Sequence, residues 1–215
     1  MKLIHSCSRC GSAWVADNVP FHGELCNTCS PEFRGFSKIA RLSREMIITE
    51  KIDGTNGVIY IDENNNIFAG SKNRWLDEHN DNHGFYKWFM NNKEELLKLG
   101  KGYHYGEFWG KGIQRGYGLE EKRFSLFNVS RWVEDRQKNL SEKQSYCPEC
   151  CHVVPILYAG TFSEESINKT LIDLQTFGSI ASWGFMNPEG IVIYHTAGNV
   201  LFKKTIENDE GGKNR

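Results

Sequence analysis

Lys51 stands just beyond an apolar, β-branched run, Met46-Ile47-Ile48-Thr49, and just ahead of a turn of hydrogen-bonding residues, Asp53-Gly54-Thr55-Asn56-Gly57. A lysine attacks an electrophile only as the neutral amine, and an ordinary pKa of about 10.4 leaves little of that form near pH 7. Burial at a strand end, or a neighbouring cation, lowers the pKa and makes a nucleophile of the side chain. A KxDG sequence alone is also what a surface ion pair looks like, so Lys51 gains weight only from later segments of the chain. In order these are Tyr105-Gly106-Glu107-Phe108-Trp109-Gly110, Phe124-Ser125-Leu126-Phe127-Asn128-Val129, Pro188-Glu189-Gly190-Ile191-Val192 and Leu201-Phe202-Lys203-Lys204-Thr205. Taken singly, Phe127 would be a core residue, Glu107 half of an ion pair and Glu189 a turn residue.

A second chemistry lies in the cysteines. Six of the seven fall in CxxC pairs. Cys7/Cys10 and Cys26/Cys29, 15 residues apart, have the spacing of two knuckles that close four thiolates on one tetrahedral Zn²⁺. Such a closed site is structural, and it would let a segment with little hydrophobic periodicity become ordered. Cys147-Pro-Glu-Cys150-Cys151-His152 is too crowded to close comfortably on one metal and reads as buried thiols beside a strand. A redox dithiol is the other reading of that pair, without the βαβ setting such motifs usually have.

Hydrophobic period and turn residues set out the secondary structure that carries these groups. Residues 1–36 form a zinc-ribbon-like module and 209–215 a polar tail, leaving 37–208 as the main domain. Met46–Thr49 and Gly57–Ile61 read as strands, and Asp62-Glu63-Asn64-Asn65-Asn66 turns the second into a hairpin. Gly84 to Leu99 places Phe85, Trp88, Phe89, Leu96 and Leu99 on one helical face and predicts a single helix closed by Gly100. Tyr103–Trp109, Arg123–Val129 and Val153–Tyr158 read as strands. Ser163 is an N-cap ahead of a helix carrying Ile167, Leu171, Leu174 and Phe177. The chain closes in a hairpin, Ile191–Tyr194 against Val200–Thr205.

Lys51 and the four later segments, in register over about residues 40–208, resemble the covalent nucleotidyltransferase superfamily of polynucleotide ligases and capping enzymes, most closely its ATP-dependent RNA ligase branch. The resemblance implies an α+β fold with an antiparallel nucleotidyltransferase core. It makes Lys51 the nucleophile that attacks the α-phosphorus of ATP, forming a lysyl-AMP phosphoramidate. Glu107 matches the carboxylate that holds the ribose, Phe127 the aromatic that stacks on adenine and Glu189 the carboxylate that serves Mg²⁺ or Mn²⁺. Lys203 matches the first lysine of the phosphate motif and Asn56 the asparagine after the lysine turn, with Glu50 and Lys204 grouped among the nucleotide-binding residues. These types suit the chemistry, since a base takes a π-face and phosphoryl transfer takes cations where charge builds on oxygen.

Two positions depart from the family pattern. Its usual arginine after the lysine hairpin falls in Ser71-Lys72-Asn73-Arg74-Trp75, where either Lys72 or Arg74 could serve; a planar guanidinium favours Arg74. The closing Lys-x-Lys reads Lys203-Lys204-Thr205, and a one-residue shift in a strand sends the second lysine to the opposite face. Only ten residues follow Thr205, fewer than an OB-fold or a helical C-terminal domain needs, so the accessory part is expected at the N-terminus. There Arg9, Arg34, Lys38, Arg41 and Arg44 could help grip RNA, or be solvated charge around a stabilising clip.

The 215 residues, 39% hydrophobic and 25% charged, with 13 Phe, 8 Tyr and 6 Trp, exclude a disordered chain. Twenty-six basic against 27 acidic residues leave no global pull toward nucleic acid, so a partner has to be recognised locally. The absence of an 18-residue apolar run and of a secretory signal pattern points to the cytosol and away from a membrane. The expected activity is joining of RNA 3′-hydroxyl and 5′-phosphate ends, as in RNA repair. The alternatives are a self-adenylylating enzyme that passes AMP to another acceptor, or a zinc-ribbon RNA-binding adaptor with a degenerate nucleotide fold.

Overall fold

A computed structural model describes residues 3–6, 10–11, 13–16, 35–207 and 209. The chain divides into two compact units, Met1–Ile39 and Ala40–Arg215. In the first, strands β1 (Leu3–Ser6) and β2 (Ala13–Ala16) pair antiparallel. Cys10 lies in the turn between them, whereas Cys7, Cys26 and Cys29 lie outside the described residues. Among the described residues, no group of three or more His, Cys, Asp or Glu is placed to hold a metal ion.

The second unit opens with β3 (Glu45–Lys51), β4 (Thr55–Ile61) and β5 (Ile67–Gly70). Short helices α1 (Phe85–Asn91) and α2 (Lys93–Leu96) follow, with a 3-10 turn over Leu97–Leu99. Next come β6 (Gly102–Gly110), β7 (Lys122–Leu126), the two-residue strands β8 (Trp132–Val133) and β9 (Ser145–Tyr146), and β10 (Cys151–Val153). The unit ends with β11 (Ile156–Thr161), helix α3 (Glu164–Phe177), β12 (Gly190–His195) and β13 (Val200–Thr205).

These strands form two main sheets, one of order β11-β3-β12-β13 and one of order β10-β7-β6-β4-β5. The first is antiparallel throughout; the second is antiparallel except where β10 lies parallel to β7. Strand alternation gives each sheet an apolar back. Met46, Ile48, Ile191 and Ile193 pack under Ile167 and Leu174 of α3. Ile59, Ile61, Phe108 and Phe124 pack under Phe85, Phe89, Leu96 and Leu99 of the helical segment. At roughly 1.5–3 kcal/mol for each large apolar side chain buried, these two clusters are the main source of the unit's stability.

The single helix expected over 84–99 breaks at Asn92. Its side-chain amide donates to the Trp88 carbonyl at 2.7 Å while its backbone N–H donates to Phe89 O at 3.1 Å, which closes the turn and restarts the helix at Lys93. The buried face survives the break. The strand expected over 153–158 is also two strands. Pro155 has no N–H for a ladder, and there the chain leaves β7 and joins β3, with the Pro155 carbonyl accepting from Glu50 N–H at 3.0 Å. The helix from Ser163 is as expected: Ser163 Oγ accepts from Ser166 N–H at 3.1 Å, and Glu164 and Glu165 lie in the first turn. Cys147 is a buried thiol ahead of β10 and Cys151 a buried thiol at its start, whereas Cys150 between them is only half-buried; burial pushes the Cys147 thiol up to about 11.

Candidate active site

Alternation along β3 sends Met46, Ile48 and Glu50 to the helix side and Ile47, Thr49 and Lys51 to the other. That other side walls a cavity of about 690 Å³, bounded also by Val192, Tyr194 and Leu201 of the same sheet, by Tyr103, Tyr105 and Glu107 of β6, and by residues 127–132. The volume lies in the range of small-molecule sites. Lys51 and Glu107 therefore come from different sheets and line one cleft.

There Lys51 Nζ lies 2.5 Å from Glu189 Oε2, a pair separated by 138 positions in sequence, with both side chains largely buried. The carboxylate sits where it does because Gly190, at φ +155°, lets β12 start hard against β13; a Cβ there would lie 2.3 Å from the Lys204 carbonyl. Glu107 Oε1 accepts from Gly54 N–H at 3.1 Å and its Oε2 from the Asn56 side-chain amide at 3.3 Å. Burial pushes the Glu107 carboxyl up to about 7, against the opposing pull of Lys51. Gly54 permits this approach: a Cβ would meet Phe108 O at 2.5 Å and Trp109 Cβ at 2.8 Å.

Phe127 is the first residue past β7. The strand expected to run to Val129 stops at Leu126, so the Phe127 ring is half exposed on the cavity wall instead of packed in the core. Asn128, Val129, Ser130, Arg131 and Trp132 continue that wall, with Arg131 stacked over Trp132 at 4.5 Å and donating to Leu99 O at 2.7 Å.

Three assigned side chains, those of Glu50, Lys204 and Arg74, do not face the cavity. Glu50 is among the residues that line the cavity, but its carboxylate is turned away, accepting from Ser179 Oγ at 2.6 Å, Ile180 N–H at 2.8 Å and Ala181 N–H at 2.9 Å on the opposite side of the sheet. Burial raises its pKa in spite of these bonds. Lys204 pairs with Ile191, on the helix side, and its Nζ donates to Asn168 at 2.9 Å, so it is removed from the cavity face. Lys203 pairs with Val192, itself opposite Thr49, and thus keeps the cavity side at the exposed edge strand. Arg74 lies in the loop after β5, donates to Asp81 O at 3.5 Å and does not line the cavity; Lys72 beside it is exposed and does not line it either.

Arg115 and Tyr117 join the site through Asp53 of the KxDG turn, although no motif marks these two. Arg115 Nε bonds Asp53 Oδ2 at 3.2 Å and its Nη1 bonds Asn187 Oδ1 at 2.8 Å, joining the turn after Lys51 to the segment before Glu189. The buried Tyr117 hydroxyl accepts from Asp53 N–H at 2.9 Å. Their one signal in the sequence is the glycine-dense run from 110 to 118, which folds these two side chains back onto the lysine turn.

Comparison with known proteins gives the family and the fold. The family profile described as RNA ligase matches residues 44–205. The chain belongs to the RNA ligase family. Among solved structures it is similar to Naegleria gruberi RNA ligase. An apo lysine-to-alanine variant of that enzyme is 20% identical, with 86% of this chain and 60% of that one covered and a TM-score of 0.54. A lysine-to-alanine variant with ATP and Mn is 19% identical over 86% and 60%, with a TM-score of 0.53. A lysine-to-methionine variant with AMP and Mn is 20% identical over 81% and 53%, with a TM-score of 0.52. At these identities the likeness is one of fold, and the match spans about 60% or less of the Naegleria chains. No curated protein sequence matches. Among the described residues no helix is long and apolar enough to cross a membrane.

Proposed function

We propose that the chain is an ATP-dependent ligase that joins RNA 3′-hydroxyl and 5′-phosphate ends through AMP carried on Lys51. The observation that carries this is the placement of a lysine on the wall of a nucleotide-sized cavity, its amine held at 2.5 Å by Glu189, with Glu107 of the other sheet lining the same cavity. Lys51 Nζ gives its proton to the carboxylate already holding it and attacks the α-phosphorus; the bond to the β-phosphate breaks and pyrophosphate leaves. A 5′-phosphate oxygen then takes the AMP, breaking the P–N bond, and a 3′-hydroxyl displaces AMP in forming the phosphodiester.

Glu107 and Asn56 take the ribose edge, Phe127 stacks on the base and Lys203 steadies charge on the phosphates. The residues fit a divalent metal of the Mg²⁺ or Mn²⁺ kind, which keeps waters and needs only one or two carboxylates beside substrate phosphates. Glu189 is the carboxylate that would hold it, and it would supply charge neutralisation. Two Naegleria structures carry substitutions at a glutamate and at a lysine fourteen positions beyond it, the separation of Glu189 and Lys203 here. A set comprising Lys51, Glu107 and Glu189 in one cleft speaks against a degenerate adaptor.

In the N-terminal unit Cys7, Cys10, Cys26 and Cys29 hold one structural Zn²⁺, in a protein of the reducing cytosol concerned with RNA repair. The deciding experiment is incubation with α-labelled ATP and Mg²⁺, followed by nicked duplexes with RNA or DNA on either side of the nick. Label on the protein that moves to the 5′-phosphate and is released on sealing supports the reading; no protein-bound label refutes it.

A further inference from the structure

The face of the five-stranded sheet that carries Glu107 does not end at the cavity. Two residues back along β6 is Tyr105, and two further back is Tyr103, all on one side of the strand at roughly 7 Å per step. Tyr103 sits opposite Tyr60 on β4, and Tyr60 opposite Phe68 on β5. Their rings form a connected row: Tyr105 to Tyr103 at 6.0 Å and 9°, Tyr103 to Tyr60 at 4.4 Å and 26°, Tyr60 to Phe68 at 6.1 Å and 25°. Trp75 joins its far end, 6.1 Å from Tyr60 and 6.0 Å from Phe68.

None of this is core. The opposite side of the same strands, Ile59, Ile61, Ile67 and Phe108, already packs under the helical segment. Yet Tyr105, Tyr103, Trp75 and Phe68 are 45–57% exposed. The solvent face of an antiparallel sheet ordinarily carries polar residues, and a contiguous exposed aromatic patch marks a place where something binds.

We propose that this row is a stacking platform for the unpaired bases of an RNA strand whose end is delivered to Lys51. The proposal rests on the ligase reading and adds to it the path and the single-stranded character of the bound RNA. Tyr103 and Tyr105 line the cavity as well as the platform, so the two surfaces are continuous. Charge agrees: Lys72 and Arg74, in the loop that leads to Trp75, form no ion pair with a described carboxylate and can meet phosphates. A row of accessible ring faces suits bases that are themselves unstacked, because a duplex keeps its base faces inside. It also explains why neither Lys72 nor Arg74 lies in the nucleotide cavity: both serve the strand.

The test uses the full chain and a short labelled single-stranded RNA, with binding followed by fluorescence anisotropy. Phe68 and Trp75 lie outside the cavity, so Phe68→Ala and Trp75→Ala should leave labelling by α-labelled ATP unchanged. Each should weaken RNA binding roughly fivefold to a hundredfold. Phe68→Leu and Trp75→Leu keep apolar area but no π-face and should not restore it. Lys72→Gln and Arg74→Gln, at exposed positions that leave the core intact, should each lower the salt dependence of binding by about 0.7 in log–log slope. Wild-type affinity in the alanine variants, full recovery with leucine, an equal loss of blunt duplex binding, or a dimer that dissociates on substitution would each overturn the platform. The last of these would make the face a protein contact. Absent AMP labelling with ring-dependent RNA binding would refute the ligase reading and leave the platform standing; normal labelling with ring-independent binding would do the reverse.

Discussion

Replacing Glu107 with glutamine should change how stability responds to pH. Burial in the cleft raises its carboxyl from 4.5 to about 7 in the folded protein. Between those values the folded chain holds a proton that the unfolded chain has released, so stability falls as pH rises from about 4.5 to 7 and is then constant as far as this group is concerned. At about 1.4 kcal/mol per pH unit the full shift corresponds to about 3 kcal/mol, and the partial exposure of the cleft lowers this to about 2–3 kcal/mol. Glutamine keeps the shape and the acceptor for Gly54 N–H, and Asn56 can rotate its amide to meet the new donor. Glu107→Gln should therefore match the wild type near pH 4 and exceed it by about 2–3 kcal/mol near pH 8, or several degrees in Tm. Glu50, whose pKa is also raised by burial, acts alike in both proteins and cancels in the difference. Denaturant unfolding of the nucleotide-free protein from about pH 4 to 8 measures it. Parallel curves would refute the argument. Because Lys51 opposes the shift, Lys51→Met should move the fall in stability to higher pH.

Lys51→Ala should abolish covalent AMP labelling with the fold intact, and Lys51→Arg should fail equally because a guanidinium stays protonated; surviving label in a gel assay would remove Lys51 as nucleophile. Phe127→Ala should weaken ATP binding about tenfold to a hundredfold and recover at saturating ATP, while Lys203→Ala should remain slow there. If saturating ATP rescues both, Lys203 contributes binding alone. Elemental analysis of protein purified without chelator should find one zinc per chain, lost on Cys10→Ser; none would remove the metal from the N-terminal unit.

Local pattern carried much of the fold, for reasons visible in particular elements. Ser163 and Gly178 bracket a helix whose cap bond forms within three residues, and Pro188-Glu189-Gly190 opens a hairpin paired to its immediate successor. Such contacts are short in sequence. The break at Asn92 and the split at Pro155 were not legible, because the first depends on a side chain competing with the helix and the second on two strands distant in sequence. The site shows the same division. Lys51, Glu107, Phe127 and Asn56 line one cavity, as type and order implied, and Glu189 is held against Lys51. Which face each neighbour takes depended on register. Lys204 could be read from the one-residue shift; Arg74 could not, because its departure from the cleft depends on where the loop after β5 goes.

Glu50 shows what a linear motif leaves out. It adjoins Lys51 in sequence, and one peptide step along a strand is enough to put it on the opposite side of the sheet. There it is buried, and burying a carboxyl is costly unless its oxygens are satisfied. Ser179, Ile180 and Ala181, in the loop that ends α3, supply three donors to its two oxygens. The end of β3 is thereby tied to the far end of the helix that packs across Met46, Ile48, Ile191 and Ile193. Glu50 holds the backbone of the residue before Lys51, and Arg115 holds Asp53, two residues after it. The lysine side chain is thus the movable part of a segment fixed on both sides. In the proposed reaction Lys51 would have to leave Glu189 to reach phosphorus and later release AMP, which needs that combination: freedom along its own side chain, and none in the strand that carries it.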